Sequence, residues 1–341
     1  MKQDDEVHVW PASQALERSI RRALRNHKRA RKKLKASPVH DFRVALRRSR
    51  SLAEGLSAID PDPVWERLRK AAKRVQRGLS DLRDVQVLEN WLKPLRLTTG
   101  PAGKALASQL RKQERKAKGE ALSSLKLFPR KRWKRWLRRL PIRAELIPVN
   151  ERRVARLVLE KLTQVIDLHG RWAKQPTAET WHELRVTVKR FRYMVESFLP
   201  RQSEAWSAEL ERAQDLLGEG HDLDVLHELL VKLSAKKSLP QSAVRQSLGR
   251  VDGAARKRRQ EYVSLTSRPA RENGRNGDDH QREGAATDML WDRWRAELKA
   301  MASVNHRGGE ELSRSTPRRA LRARARARQY PDKRRRISSA Q

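Results

Sequence analysis

The chain has 341 residues, 35% of them charged, and its 79 Lys and Arg against 41 Asp and Glu give a formal net charge of +38. The absence of cysteine excludes a disulfide framework and thiolate chemistry. No apolar stretch approaches the roughly 20 residues of a membrane span, and the N-terminus lacks the apolar core of a signal peptide. The composition predicts a cytoplasmic protein of amphipathic helices, with a polyanion as the first partner to consider.

The positive charge is concentrated in the part of the chain that is predicted to fold. Residues 264–341 hold 19 Lys and Arg and 10 Asp and Glu, so their net charge is +9 and that of residues 1–263 is +29. Like charges in a compact fold repel one another, and a bound anion would relieve that repulsion. A basic tail alone therefore does not account for the charge.

Four amphipathic helices are predicted in the first half, at about 13–34, 37–56, 64–92 and 102–125, with breaks at Pro and Gly residues. Their short connections favour an antiparallel bundle at 12–125. A connector at 126–148 follows and contains a short, very basic helix. Its Trp133 and Trp136 could stack on bases, but docking onto the bundle is the favoured interpretation.

The second half repeats this order, with helices at about 149–173, 177–199, 203–234 and 242–265. The predicted architecture is therefore all-α, with two four-helix bundles in tandem and the second bundle at 149–267. Residues 268–341 are predicted to form a linker, a short amphipathic helix at about 285–301 and a largely disordered Arg-rich tail. Such a tail would bind nucleic acid non-specifically.

One stretch of the chain occurs twice. V-H-D-F-R-V-A-L-R-R-S-R-S-L-A-E-G-L at 39–56 recurs at 181–198 as W-H-E-L-R-V-T-V-K-R-F-R-Y-M-V-E-S-F, and six of 17 residues are identical from the histidine onward. On a helix, both copies place basic residues on one narrow face and apolar residues on the opposite face. The first stripe comprises His40, Arg43, Arg47 and Arg50, and the second stripe comprises His182, Arg185, Lys189 and Arg192.

A basic helix face is ordinarily just a solvated surface, on which charges of both signs are normally mixed. Here each stripe is almost purely cationic, begins with histidine and recurs in the same register, which favours a shared anion site. A second element also recurs, as L-S-D-L-R-D-V-Q-V-L at 79–88 and L-G-E-G-H-D-L-D-V-L at 217–226. The favoured role of its Asp84 and Asp222 is a polar contact between helices.

These four blocks, in this order, resemble the signature of the CHAD family, the conserved histidine α-helical domain, over about residues 12–265. The resemblance implies two pseudo-symmetric four-helix bundles flanking a basic cleft or pore. It also implies binding of inorganic polyphosphate, and for several members an association with polyphosphate granules. This would make the CHAD-like domain residues 12–267 and leave 268–341 outside it.

The resemblance assigns the polyphosphate-binding role, position by position, to the eight residues of the two stripes. Secondary candidates are Arg48, Arg190, Arg22 and Arg25. The chemistry agrees, because guanidinium groups hold phosphate oxygens bidentately, while Lys189 offers a point charge. Asp215 and Glu219 stand where the first half has Arg77 and Asp81, so that wall is predicted to be less basic.

The E-x-E-x-K motif of triphosphate tunnel enzymes, which accompanies this domain in some proteins, does not occur in the chain. The resemblance therefore implies a binder, not an enzyme, and no cofactor. A metal-dependent phosphohydrolase is the weakest alternative: His40-Asp41 and His221-Asp222 match its H-D dipeptide, but further ligands are missing and no metal site is predicted. Divalent cations would arrive only with the polyphosphate.

The stronger alternative is a non-specific nucleic-acid-binding protein of the nucleoid, which the Arg-rich tail supports. The predicted bundles offer no recognisable reading helix or aromatic-interleaved patch for that function. Two roles are open for His40 and His182. They would bind anions as imidazolium, or act as neutral hydrogen-bond donors that fix the helix pair.

Overall fold

The computed structural model describes residues 11–32, 34–147, 150–235, 239–267 and 290–303. Within these ranges the chain forms twelve α-helices and no strand, which confirms the predicted all-α class. The helices are α1 (Pro11–Lys32), α2 (Ala36–Ser57), α3 (Pro63–Arg77), α4 (Ser80–Leu92), α5 (Gly100–Lys126), α6 (Arg130–Glu145), α7 (Glu151–Lys174), α8 (Ala178–Phe198), α9 (Pro200–Ala205), α10 (Ser207–Ser234), α11 (Gln241–Thr266) and α12 (Leu290–Ser303).

Local sequence signals explain where several helices begin. Asp62 accepts a hydrogen bond from the Val64 amide (2.7 Å), with Pro63 at the first helical position of α3. Thr177 begins α8 through a capping box with Thr180. No helix among the described residues combines the length and the apolarity that crossing a membrane would require. The predicted Arg-rich tail lies outside the described residues.

The helix predicted at 64–92 is divided into α3 and α4. At the end of α3, Leu79 N–H donates a hydrogen bond to the Gln76 carbonyl (3.2 Å), so the last turn tightens and the regular α-helical hydrogen bonding is interrupted. As a result α4 pairs with α5, while α3 stays against α2. In the second half the position that corresponds to Leu79, Leu217, lies buried inside the continuous helix α10. The break is therefore specific to the first half.

Both hydrophobic cores are shared between the two halves of the chain. The larger core joins residues of α1, α2, α3 and α6 with residues of α7, α8 and α12. The smaller core lies between two hairpins, α4 with α5 and α10 with α11, and is rich in leucine. The repeated halves thus pack as parts of one helical body, with apolar burial stabilising their mutual placement.

α6 and α12 occupy corresponding places in the two halves. α6 packs on α1, and α12 packs on α7. Both contain the pattern W-x-x-W with a leucine four residues after the second tryptophan. All three residues of the pattern are buried in each helix: Trp133, Trp136 and Leu140 in α6, and Trp291, Trp294 and Leu298 in α12. Docking of the connector tryptophans is confirmed. The short helix predicted beyond the domain is a core element, since Trp294 stacks on Trp206 of the second half (centroids 4.9 Å apart).

Candidate anion-binding cavity

A cavity of about 520 Å³ is lined by residues from both halves of the chain. α2 and α8, the two motif helices, form part of its wall, and α4 and α10 form much of the rest. The charged and histidine residues of the lining are His40, Arg43, Arg47, Arg50, Glu54, Arg83, Asp84, His182, Arg185, Lys189, Arg190, Asp215, Glu219, His221 and Asp222. Its volume is in the range of ligand pockets, about 300 to 1,000 Å³.

A glycine allows α2 and α8 to approach each other. A Cβ added at Gly55 would lie 2.5 Å from two ring atoms of Phe198, a distance that van der Waals contact does not permit. With no side chain there, the apolar ends of both motif helices pack together in the larger core. The basic parts of the two helices are thereby brought to the same cavity.

A second glycine places α10 against α8. A Cβ added at Gly220 would lie 2.7 Å from Nε1 of Trp181, which donates a hydrogen bond to the Leu217 carbonyl of α10 (3.1 Å). This packing sets the following residue, His221, beside the motif histidine, so that Nδ1 of His221 lies 3.4 Å from Nδ1 of His182.

The structure brings together seven of the eight predicted stripe residues. All four residues of the first stripe line the cavity, and so do the first three residues of the second stripe. Arg192 does not. Its Nε lies 2.7 Å from Glu196 and its Nη2 lies 3.8 Å from Glu211. Arg190, a secondary candidate, lines the cavity in its place.

The other secondary candidates lie elsewhere. Arg48 forms an ion pair with Glu196 (3.4 Å) and borders a separate depression together with Arg22. Arg25 is exposed on α1. None of these three residues is part of the cavity lining.

The basic side chains of the cavity lack carboxylate partners in the described part of the chain. Of its seven Lys and Arg residues, none forms an ion pair with a carboxylate of the described part of the chain. Arg43 is hydrogen-bonded, to the Gln76 carbonyl (3.1 Å) and to Ser80 Oγ (3.0 Å). By contrast, Nε of Arg47 and Nε of Arg185 are buried without a hydrogen-bond partner among the described residues. Buried polar groups are normally satisfied, so these two atoms are candidates for bonds to a ligand.

Comparison with known proteins agrees with this arrangement. The sequence model of the CHAD domain matches residues 14–231. The chain belongs to the CHAD family. The crystal structure of the CHAD domain from the plant Ricinus communis matches with a TM-score of 0.54 and 22% identity, over 74% of this chain and 89% of that chain. That likeness confirms the fold of the CHAD domain. None of the curated proteins matches the chain.

Lys189 is the most perturbed cation of the CHAD cavity. Burial, followed by repulsion from Arg185 and Arg47, lowers the pKa of Lys189 to about 6. Burial also lowers the pKa of Arg43 to about 10, with the neighbouring guanidinium groups acting in the same direction. These cations come from both halves and repel one another, so the cavity favours an occupant with several negative charges.

The histidines of the CHAD motif are affected in the same way. Burial, with added repulsion from nearby Arg and Lys residues, lowers the pKa of His40 and of His182. The pKa of His221 falls to about 3 for the same reasons, with His182 contributing. All three imidazoles are therefore neutral near pH 7 in the unliganded protein.

Two carboxylates in the wall were not assigned to the site from the sequence. Asp84 and Asp222 occupy matching places in the second recurring element and both line the cavity. Burial raises the pKa of Asp84, and burial raises that of Asp222 to about 6 despite the neighbouring cations. Their recurrence was the available signal, and it also pointed to Arg83, which lines the cavity at the position that His221 holds in the second half.

The predicted reduction in basic character of the α10 wall is visible in the structure, because Asp215 and Glu219 both line the cavity. Glu219 is paired with Arg258. Asp41, the acidic residue of the first H-D dipeptide, is not in the cavity lining and lies 3.8 Å from Arg29. Across the described ranges, no group of three or more His, Asp or Glu residues is placed to hold a metal ion.

Proposed function

We propose that the chain binds inorganic polyphosphate in the cavity between its halves and does not hydrolyse it. The observation that carries this proposal is the set of half-buried basic side chains on two facing motif helices, among them Arg47, Arg185 and Lys189, none of which is paired with a described carboxylate. Such an arrangement destabilises the free protein through self-repulsion and is relieved by a bound anion. Family membership adds support, because the CHAD family is associated with polyphosphate binding.

The distribution of charge favours a chain of phosphates over a single phosphate. The basic groups come from α2 and α8 and, through Arg83, from α4. Cations on several walls contact a linear polyanion at successive phosphates, whereas one phosphate would satisfy only part of them. The two buried Nε atoms point to bidentate guanidinium contacts, which hold phosphate oxygens most firmly.

Near neutral pH we expect Lys189 to be mostly uncharged in the free protein and charged when polyphosphate is bound. Phosphate oxygens close to the ammonium group favour its protonated form and raise its pKa above the value of about 6 in the free protein. The same reasoning applies to His40 and His182. Binding would then take up protons from solution near neutral pH.

The test is a titration of the full chain with polyphosphate, for the wild type and for the cavity variant Arg47→Ala/Lys189→Ala. The matched control is Lys104→Ala/Lys112→Ala, which removes two exposed charges from α5 outside the cavity. We expect the cavity variant to lose about a hundredfold or more in affinity, because each charge-assisted contact contributes about 1.5 to 3 kcal/mol. The control should lose no more than a fewfold.

The full chain is required because truncation after residue 267 would remove α12 and its buried tryptophans. Equal losses in the cavity variant and the control would show that only net charge matters and would reject the site. Incubation with polyphosphate and Mg²⁺ should release no more orthophosphate than a reaction without protein. Release that disappears in the cavity variant would show that the protein is an enzyme.

A further inference from the structure

α1 and α6 lie side by side and antiparallel on the outside of the first half. Ser13 Oγ donates to the Pro141 carbonyl (3.0 Å) near one end of the pair, and Arg130 Nη1 donates to the Leu24 carbonyl (3.0 Å) near the other. The inner sides of both helices are part of the larger core. Their outer sides form one solvent-exposed surface, called here the α1/α6 face. It includes Lys28 of α1 and Arg135 and Arg138 of α6.

The charged residues of the two helices that form this face are almost all cationic. α1 and α6 together carry 16 Lys and Arg residues against two carboxylates, Glu17 and Glu145. Ion pairs with described carboxylates are formed by Arg21, Arg29 and Arg143. The remaining Lys and Arg residues of the two helices have no such pair within the described ranges. Solubility is ordinarily achieved by mixing both signs of charge, so this density of one sign indicates an anionic partner.

The second half provides an internal comparison. α7 and α12 occupy the corresponding place, yet they carry nine Lys and Arg residues against five carboxylates. Several of those cations are paired, among them Arg171 with Glu183 (2.6 Å) and Arg293 with Glu209 (2.7 Å). Because the same helix pair folds with mixed charges in one half, the fold does not require the charge of the α1/α6 face.

We propose that the α1/α6 face binds the phosphate backbone of double-stranded nucleic acid, at a site separate from the cavity. With 22 residues, α1 is about 33 Å long, close to one turn of a duplex at about 34 Å. Its cations point outward from a broad surface and so meet charges spread over the two strands of a duplex. In the cavity, by contrast, the basic side chains converge on a space that would hold a single polyphosphate chain.

Other anionic macromolecules fit this face less well. Non-specific binding of single strands uses exposed aromatic rings on which bases stack, but Trp133 and Trp136 of α6 are buried in the core. Peripheral binding to a membrane requires apolar side chains beside the basic ones. No exposed large apolar residue of the described chain lies on α1 or α6; the two that flank α6, Leu127 and Leu146, lie just before and just after it. A duplex backbone needs neither feature, and binding would be independent of base sequence.

The test is a salt titration of duplex DNA binding by the full chain, so that residues 304–341 are present in every sample. The face variant is Lys28→Gln/Arg135→Gln/Arg138→Gln. The matched control, Arg156→Gln/Lys174→Gln/Lys299→Gln, removes three exposed cations without described ion pairs from α7 and α12. Each phosphate contact contributes about 0.9 to the slope of log affinity against log salt, so the face variant should lower that slope by about 2 to 3. The control should leave it nearly unchanged.

Two further measurements separate this site from the cavity. The face variant should keep wild-type affinity for polyphosphate, and Arg47→Ala/Lys189→Ala should keep wild-type affinity for the duplex. Equal effects of the face variant and its control on duplex binding would overturn the proposal, as would a face variant that loses polyphosphate instead of duplex. The wild type could instead bind anionic lipid vesicles, with the face variant losing that binding and keeping its binding to the duplex. That result would show that the partner of the α1/α6 face is a membrane surface and not nucleic acid.

Discussion

The two motif helices, α2 and α8, have matching sequences but different surroundings. In the first half, Arg43 is held by the Gln76 carbonyl and Ser80 Oγ, whereas its counterpart Arg185 has no acceptor among the described residues and a buried, unpartnered Nε. Arg47 lies over the ring of Tyr193 (5.7 Å), while its counterpart Lys189 has a strongly lowered pKa. A repeated sequence therefore produces a pseudo-symmetric scaffold whose two sets of cations are not equivalent.

The difference extends to the packing behind the cavity. α8 carries the large Trp181 against Gly220 of α10, and the matching positions of the first half hold Val39 and Leu82, which are also buried. A large residue opposite a glycine and two residues of intermediate size fill similar volumes. The exchange places His221 beside His182 in the second half, and the first half has an arginine at the position of His221.

The largest expected effect comes from exchanging the matched arginines for glutamine. Arg185→Gln should weaken polyphosphate binding about 30-fold, because an unpartnered guanidinium gives all its hydrogen bonds to the ligand. Arg43→Gln should weaken it only about threefold to fivefold, because Arg43 already donates to Gln76 and Ser80. Equilibrium titration of both variants checks this order, and thermal unfolding serves as the control for folding. The reverse order would mean that Arg43 leaves its protein partners when the ligand binds.

The next effect tests why one stripe has lysine where the other has arginine. Lys189 is mostly uncharged at pH 8 in the free protein, because its pKa is about 6, and must take up a proton on binding. Asp222, with a pKa of about 6, gains its repelling charge over the same range. Wild-type affinity should therefore fall as the pH rises from 6 to 8.

In Lys189→Arg the cation is charged throughout, so affinity at pH 8 should rise about tenfold while affinity at pH 6 changes by about twofold or less. Binding titrations at both pH values, in two buffers of different ionisation enthalpy, measure affinity and proton uptake together. If the variant keeps the full pH dependence, Asp222 or the histidines cause it instead of Lys189. Wild-type affinity that does not change from pH 6 to 8 would count against a charged role for His40 and His182.

The smallest effect concerns the ends of the two stripes. Arg50 lines the cavity in the first half, but in the second half Arg190 does so while Arg192 pairs with Glu196. Arg190→Gln should weaken polyphosphate binding about fivefold, and Arg192→Gln no more than about twofold, since a paired and distant cation contributes little. The same titration decides between them. A larger loss in Arg192→Gln would mean that Arg192 contacts the ligand, as the sequence repeat predicts, and that Arg190 does not take its place.

Periodicity identified much of the fold in advance. Apolar and basic residues at helical spacing, with Pro and Gly between them, predicted the all-α class, and the tandem repeat predicted two matching halves. The break between α3 and α4 was missed, because Gly78 and Leu79 interrupt neither the apolar pattern nor the charge pattern. The core role of α12 was also missed. Its W-x-x-W recurrence with α6 was present in the chain, but its meaning depended on a partner helix distant in sequence.

The two basic stripes and their register were determined by the sequence alone, because a helix fixes which residues share a face whatever lies opposite. Which cations remain unpaired was decided only by tertiary structure. Arg192 is neutralised by Glu196 one turn away on its own helix, while Arg190 meets the cavity because of how α8 crosses α2 at Gly55. Burial and repulsion across that crossing, which no local pattern encodes, set the charge state of Lys189.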